Sequence, residues 1–484
     1  MPADPLIILP RVIDAAREAG ALVAAEFARP DGPRFSDHVT APLDHEIEML
    51  LRDRLLPLVP ARFVGEEAGV LEAPANGYCW VVDPHDGTRA FLEGKRGSAV
   101  SIALLLHGIP ILAVVYAPTS PDRGPDLISW ARGGAIARNG VPVTIDLRKR
   151  ELVAGDVVFL NHGAWQRPVW HGNACAPAGF MPLPSIAYRL ARIAVGDGIA
   201  TLTLRPVNAL DIAAGHALLM AAGGVLVTED GETVTYNELG ESRPSACFGG
   251  SPDAVAVLRA RTWRGSQEPR REPRVALNWP RPVPERHLDR AAGCLFGLAI
   301  GGGLGPDTEL GLIVARALVG HTEYHRASIE GGVAAWVAGG GQIDLASPAV
   351  RAIPIGIWAR DPETAMAVAR LDSPDTPFAG EIAALVAECI RRGSPEGIAR
   401  ISSRIPDGAS RNPAVTGALT GAIDGRCVFP VHQVMRILTW RPESGPGVAR
   451  PRPEICWTDD LVDLAEALLC QGQRGTQPGI WAEQ

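Results

Sequence analysis

A chain of 484 residues, 46% apolar and 21% charged, has the composition of a soluble globular protein and is too long for one ordinary core, so two to four domains are expected. Its net charge of −8 and the lack of a Lys/Arg block in the first half argue against a nucleic-acid partner; no apolar run reaches the roughly 18 residues of a membrane span, and the N-terminus, without a basic stretch and interrupted early by acids, does not read as a signal peptide. The 8 cysteines form no CxxC pair, which argues against zinc, and without an export signal they are expected to be reduced thiols in a cytoplasmic protein.

In chain order, the first elements are helices. Val12, Ile13, Ala16, Val23 and Phe27 recur on one face of a 3.6-residue period. Ile47, Leu50, Leu51, Leu55 and Leu58 do so again, with Asp44 placed as a cap. "FVGEEAG" then sets Glu66 and Glu67 after a short apolar step, an arrangement that also suits a solvated acidic loop. In "WVVDPHDGT", Trp80 to Val82 read as the end of a strand buried on both faces. Pro84 is expected to stop that strand. Asp83 and Asp86 are then left at its carboxyl end, where open α/β sheets place ligands; an Asx turn with Asp86 as a helix cap would use the same residues. "VSIALLLHGIPILAVVYAP" reads as two strands about His107-Gly108. "NALDIAAGHALLMAAGG" starts a helix near Asp211 and ends it at Gly223-Gly224. "GGVLVTEDGETVTYN" repeats the hairpin pattern about Asp230-Gly231.

Two carboxylates three residues apart repel unless something positive lies between them. Taken with Glu66, Glu67 and Asp211, they form an oxygen-only set without His or Cys, which favours Mg²⁺ over zinc or copper. Two ions sharing a carboxylate could polarise a phosphate ester, generate hydroxide near neutral pH and stabilise the leaving oxygen. Gly87 lets the backbone approach a phosphate, and Thr88 opens a helical turn and brings a hydroxyl able to orient water.

"GEE", "DPHDGTRAF" and "ALDIAAGHALLMAAGG", with "GSAVSIALL" and "VTAPLDHEIE", resemble in order the signatures of the inositol monophosphatase family, over roughly residues 5 to 260. The resemblance implies an α/β domain layered α/β/α/β/α and hydrolysis of a small phosphorylated metabolite with two or more Mg²⁺ ions. On that reading Glu66 binds the first metal and helps activate water, Asp83 bridges the metals, and the backbone carbonyl of His85 ligates the first. Asp86 and Asp211 hold the second. Gly87 and Thr88 contact the phosphate, and Thr88 orients the nucleophile. Leu210 stands where the family has Trp, and His85 where it has Ile or Leu. "LRPVN", 204 to 208, lacks the acidic residue with which inositol-specific members hold hydroxyls, so a 3′(2′),5′-bisphosphate nucleotidase is the alternative. "LPSIAYRLARIAVGDGIATLTL" resembles a substrate-lining segment, with Ser185, Tyr188 and Arg189 as candidates; a core helix with solvated arginines fits the same pattern.

"RTWRGSQEPRREPRVALNWPRPVPER" is rich in Pro and Arg and reads as a linker, 263 to 285, between a phosphatase domain, 1 to 262, and an all-α domain, 286 to 475. "AAGCLFGLAIGGGLGPDTELGLIVARALVG" and "NPAVTGALTGAIDG" resemble the ADP-ribosylglycohydrolases, which are all-α and carry two Mg²⁺ ions. Gly305-Pro306-Asp307 and Gly408-Ala409-Ser410-Arg411-Asn412 stand where that family has its metal motifs. Only Asp307 survives of the expected carboxylates, so a fold without hydrolase chemistry is expected, serving stability, assembly as in a homodimer, or an adenosine- or ADP-ribose-containing ligand. A bifunctional phosphatase and ADP-ribosyl hydrolase is the competing reading. "WTDD", 457 to 460, reads as a helix cap, and His321 and His325 as surface residues.

Overall fold

The computed structural model describes residues 4–29, 32–34, 41–67, 69–71, 76–277, 283–376, 378–392, 411–442 and 450–474. Two compact units divide the chain between Glu272 and Pro273. No described helix is long and apolar enough to cross a membrane.

The first unit begins with α1 (Pro5–Phe27), capped by Asp4 through a 2.9 Å bond from Leu6 N–H, and α2 (Pro42–Leu55). Their apolar faces, including Val12, Ala16, Val23, Ile47 and Leu51, pack against one face of an eight-stranded sheet. Its strands are β1 (Arg62–Val64), β2 (Val70–Leu71), β3 (Tyr78–Asp86), β4 (Ala99–Leu106), β5 (Ile109–Ala117), β6 (Asp126–Ala131), β7 (Ala137–Arg138) and β8 (Val141–Pro142), in the order β2-β1-β3-β4-β5-β6-β7-β8. Strand residues alternate between faces, so Trp80, Val82, Ile102 and Leu104 meet α1 and α2. β4 and β5 are joined at His107 (φ 50°) and Gly108 (φ 73°), the doubly positive geometry of a type I′ hairpin.

A second sheet has the order β10-β9-β11-β13-β12, from β9 (Val157–Leu160), β10 (Gly179–Pro182), β11 (Ala200–Thr203), β12 (Val225–Thr228) and β13 (Cys247–Gly250). β9, β10 and β11 run parallel, and β13 is antiparallel to both its neighbours. The hairpin expected about Asp230-Gly231 keeps only one arm as strand, β12; the return is a single bridge from Val227 to Thr233, because β12 pairs with β13 instead. α5 (Ile186–Ala194) and α6 (Ala209–Ala221) touch both sheets and so fill the middle layer. α4 (Pro168–Cys175) and α7 (Pro252–Arg259) cover the outer face of the second sheet. The result is a mixed α/β unit layered α/β/α/β/α.

The Pro/Arg-rich stretch starts inside this unit. Trp263 lies in the core beneath the second sheet, and Glu268 accepts the N–H groups of Val169 (3.4 Å) and Trp170 (2.7 Å) at the start of α4.

The second unit is helical: α8 (Glu285–Gly301), α9 (Pro306–Val319), α10 (Arg326–Ala338), α11 (Ala352–Trp358), α12 (Pro362–Asp372), α13 (Ala379–Arg392), α14 (Pro413–Asp424), α15 (Val431–Leu438) and α16 (Leu461–Arg474), with no strand among its described residues. α8 and α14 cross at glycines. A Cβ on Gly297 would fall inside the carbonyl of Gly417, and one on Gly421 inside that of Gly293. All eight cysteines are free thiols, and six of them are buried.

Candidate metal centre

β3 does not stop at Pro84. It continues to Asp86, pairing Asp83 with Ser101 and Asp86 with Ala99 across a bulge. Pro84 has no N–H to give the ladder, and the bulge absorbs that loss instead of ending the strand. The His85 N–H turns inward and donates to Asp83 Oδ1 at 2.8 Å. Gly87 follows at φ 97°, a left-handed conformation that suits glycine, and caps the short helix α3 (Thr88–Leu92).

Three carboxylates meet here. Asp83, Asp86 and Asp211 each offer an oxygen within 4.8 Å of the others, with Asp83 and Asp86 buried and Asp211 half-buried. Each is fixed through a backbone N–H. Asp83 is held by His85 N–H. Asp86 Oδ2 accepts from Ala187 N–H (2.8 Å) and the Ser185 hydroxyl (2.6 Å) at the start of α5. Asp211 Oδ2 accepts from Asn208 N–H at 2.7 Å, and Asn208 in turn caps α6, a reciprocal box. Each acid is thus oriented by hydrogen bonds while offering an oxygen to the cluster.

The electrostatic strain is large. Burial, then Asp86, Glu66 and Asp211, pushes the Asp83 carboxyl well above its ordinary range. Burial and Asp211 raise Asp86 to about 7. Burial raises Asp211 also. Glu66 sits on the rim with part of its side chain exposed; desolvation, then Asp211 and Glu67, brings it to about 7. Glu66 therefore feels the cluster but lies outside the close group of three.

Thr88 donates its hydroxyl to the His85 carbonyl at 2.7 Å. The His85 ring is buried, with Nδ1 at 2.9 Å from Asp44 Oδ1 and Nε2 at 2.9 Å from Ser98 Oγ, and its edge packs on Phe91. Asp44 is the third residue of α2 rather than its cap; its other oxygen reaches back to Ala41 N–H at 3.4 Å. Glu48, also buried, accepts Glu67 N–H at 2.6 Å and fixes the acidic loop. Asp44 was read from the sequence only as a helix cap, and Glu48 and Ser98 were not singled out. The only signal was polarity: Asp44 and Glu48, four residues apart, share a helix face otherwise turned to the core.

The segment expected to line a substrate is buried. Ser185 acts on Asp86. Tyr188 donates to Asp126 at 2.6 Å and meets Ser120 at 3.0 Å. Arg189, 3% exposed, binds Thr201 Oγ1 and the Leu202 carbonyl. The hydrophilic pattern reflects an internal network rather than a solvated face: Asp122, Asp126 and Asp197 with Arg123, Arg138 and Arg192.

The sequence model of the Inositol monophosphatase family matches residues 8–249, half of the chain. The chain belongs to that family. A protein of Escherichia coli (strain K12) named Nus factor SuhB is 33% identical over 229 residues, covering 44% of this chain and 82% of that protein. An inositol-1-monophosphatase of Rhizobium meliloti (strain 1021) is 30% identical over 227 residues, with the same coverage of 44% and 82%. A solved inositol monophosphatase from Anabaena aligns with 52% of this chain and 94% of its own at 22% identity and a TM-score of 0.42. The inositol monophosphatase match ends at Gly249, ahead of the helical unit.

In that helical unit several described carboxylates are engaged. Asp307 accepts Ser347 N–H at 2.6 Å and the Asn412 amide at 3.0 Å. Glu309 pairs with Arg452 and takes the Trp336 N–H at 2.7 Å. Asp459 and Asp460 pair with Arg274, Arg316 and Arg441. His321 and His325 both reach Ser328 Oγ, at 2.7 and 2.8 Å. Residues 408–410 of the second expected motif lie outside the described residues.

Proposed function

We propose that the first unit is a Mg²⁺-dependent phosphomonoesterase acting on a small phosphorylated metabolite. The observation that carries this reading is the trio Asp83, Asp86 and Asp211, each oriented by hydrogen bonds and each with an oxygen within 4.8 Å of the others. The donor set is carboxylate only, with no His or Cys in the group, which fits a hard divalent cation. Asp83 would bridge two ions, Glu66 and the His85 carbonyl would serve one, and Asp86 and Asp211 the other. Bound there, the ions would polarise the phosphoryl group and supply hydroxide near neutral pH.

The chain's own groups do the positioning. The pair Ser185 and Ala187 N–H holds Asp86, and the α6 cap holds Asp211. Thr88 donates to the carbonyl of His85, between Asp83 and Asp86 in the chain, and its oxygen would accept a hydrogen bond from the attacking water. Gly87 would contact the phosphate through its backbone. The test is orthophosphate release from a panel of small esters with and without Mg²⁺, with Asp83→Asn as control. Release that ignores Mg²⁺, or an Asp83→Asn protein of normal rate, overturns the reading.

For the second unit we infer an ADP-ribosylglycohydrolase-like scaffold that does not hydrolyse. Asp307, Asp459 and Asp460 being committed to amides and guanidiniums supports this. ADP-ribose released from a modified protein, and lost in Asp307→Ala, would overturn it in favour of a bifunctional hydrolase.

A further inference from the structure

Five arginines are buried among the described residues: Arg123, Arg189, Arg192, Arg426 and Arg452. Four of them touch a carboxylate. Arg123 and Arg192 meet Asp122, Arg426 meets Asp289, and Arg452 meets Glu309. Arg189 makes no ion pair among the described residues. Its Nε donates to the Ser185 carbonyl at 3.3 Å, and its Nη1 to Thr201 Oγ1 at 3.1 Å and the Leu202 carbonyl at 3.0 Å. All three acceptors are neutral. A guanidinium taken out of water without a countercharge is unfavourable, so the charge of Arg189 has to be balanced from further off.

The balancing charge comes from the carboxylates of the metal centre. Burial pulls the Arg189 guanidinium down to about 10, and Asp86, Cys247 and Asp211 act against that fall. It therefore stays charged at neutral pH. Cys247 supplies no charge there, because burial pushes its thiol up to about 12. Asp86 and Asp211 remain as the countercharge. In return, Arg189 works against the rise that burial imposes on both acids. A second link is mechanical. The carbonyl that Arg189 holds belongs to Ser185, whose hydroxyl donates to Asp86 Oδ2 at 2.6 Å, and Ala187 in the same turn of α5 gives Asp86 its N–H. Arg189 thus braces the first turn of α5 against β11 and sets a fixed positive charge near two of the three clustered acids.

We propose that Arg189 is a positioning residue of the metal centre: a resident countercharge to Asp86 and Asp211 that lowers their affinity for a divalent ion and keeps the two acids in place when no ion is bound. The inference rests on the metal reading of the trio and deepens it, because it names what moderates the site's hold on its cation. A fixed charge and a divalent ion near the same two acids repel each other, and between buried groups that repulsion is weakly screened. Taking the charge away should tighten the ion, whereas taking away a mere brace should loosen it. The two roles predict opposite signs.

The test titrates MgCl₂ into the full chain, read by calorimetry and by melting temperature. Arg189→Gln, which keeps hydrogen-bond donors but no charge, should bind Mg²⁺ about tenfold more tightly than the wild type. In EDTA it should melt below the wild type, and saturating Mg²⁺ should narrow that gap. Arg189→Lys keeps the charge, so its affinity should stay within about threefold of the wild type. A wild type that binds Mg²⁺, with an Arg189→Gln protein that binds it equally or more weakly, overturns the inference and leaves the metal reading standing. A wild type that takes up no Mg²⁺ overturns the metal reading and this inference with it. If Arg189→Gln does not fold at any Mg²⁺ concentration, Arg189→Lys decides. An affinity within that same margin upholds the countercharge. A weaker one, or failure of both variants to fold, makes Arg189 a brace alone and overturns it.

Discussion

His85 holds together more of the site than any other single residue. Its N–H orients Asp83, its carbonyl receives Thr88, and its ring is bonded at both nitrogens, to Asp44 of α2 and to Ser98 just ahead of β4. Replacing it by Leu would take from buried Asp44 Oδ1 and Ser98 Oγ the hydrogen bonds they make to the ring. An unsatisfied buried polar group costs about 1–3 kcal/mol and a charged one more. His85→Leu should therefore lower the denaturation midpoint, and it should slow ester hydrolysis by loosening the backbone that carries Asp83 and Thr88. Calorimetric melting together with kcat checks both; a fully stable, fully active variant would make the ring a passenger. The acids themselves give a pH signature. Burial and mutual repulsion raise Asp86 from 3.8 and Glu66 from 4.5 to about 7. Carboxylates raised in the fold contribute stability below their ordinary values, and that contribution is lost as pH rises through about 7. Half-buried His162 and His171 and buried His216, lowered to about 4 by desolvation, work the other way below 6.5. The histidine effect cancels when melting is compared with and without Mg²⁺ at one pH. A cation replaces the protons on Asp86 and Glu66, so the rise in Tm produced by 5 mM Mg²⁺ should be small at pH 5 and larger at pH 8. A rise independent of pH would separate those acids from the ion.

At the scale of elements, what the sequence revealed depended on whether the signal was local. The two opening helices and the His107-Gly108 hairpin were legible because period and turn chemistry lie within a few residues. Asp83, Asp86 and Asp211 were legible as a set only through the ordered signatures, since nothing local brings β3 beside α6. Three things were hidden. The bulge that carries β3 past Pro84 is created by pairing with β4, a long-range partner. Tyr188 and Arg189 were candidates to line a substrate, with a core helix bearing solvated arginines as the alternative, yet the helix is buried and the carboxylates that neutralise Arg192 come from the loops at 122 and 197. The role of the glycines of α8 has no local signal either. In the structure Gly293 and Gly297 sit four apart against Gly417 and Gly421, and their missing side chains let two backbones touch. A methyl there has no rotamer to escape into and meets backbone, not a yielding side chain, so overpacking of about 1–3 kcal/mol is expected. Gly297→Ala should destabilise the helical unit by that amount in urea, whereas Gly331→Ala, where an added Cβ meets open space, should stabilise α10 or leave it unchanged. Equal effects at the two positions would mean that the crossing can relax.

For the whole molecule, the boundary between units decides what can be studied alone. A cut at 262 follows the change in composition but removes Trp263 from the core beneath the second sheet, and Glu268 from the start of α4. A cut at 272 keeps both. Burying a large aromatic side chain is worth about 1.5–3 kcal/mol, and Glu268 adds charge-assisted bonds to two N–H groups that α4 otherwise leaves open. The same unit depends on its internal ion network. Burial alone would raise the Asp122 carboxyl, but Arg123 and Arg192 more than offset this and hold it well below its ordinary value. Arg192 is fully buried between Asp122 and Asp197. Removing one member of such a network strands the others, at about 3–5 kcal/mol. Fragment 1–272 should then unfold in one cooperative transition and keep the Mg²⁺-dependent phosphatase rate of the full chain. Fragment 1–262 should unfold at clearly lower denaturant with the same metal affinity once folded. Arg192→Met in fragment 1–272 should lose several kcal/mol of stability while leaving the calorimetric Mg²⁺ affinity within about twofold, because the network and the acid trio share no side chain. If fragment 1–272 is inactive where the full chain is active, catalysis draws on the helical unit, and the assignment of the chemistry to the first unit fails.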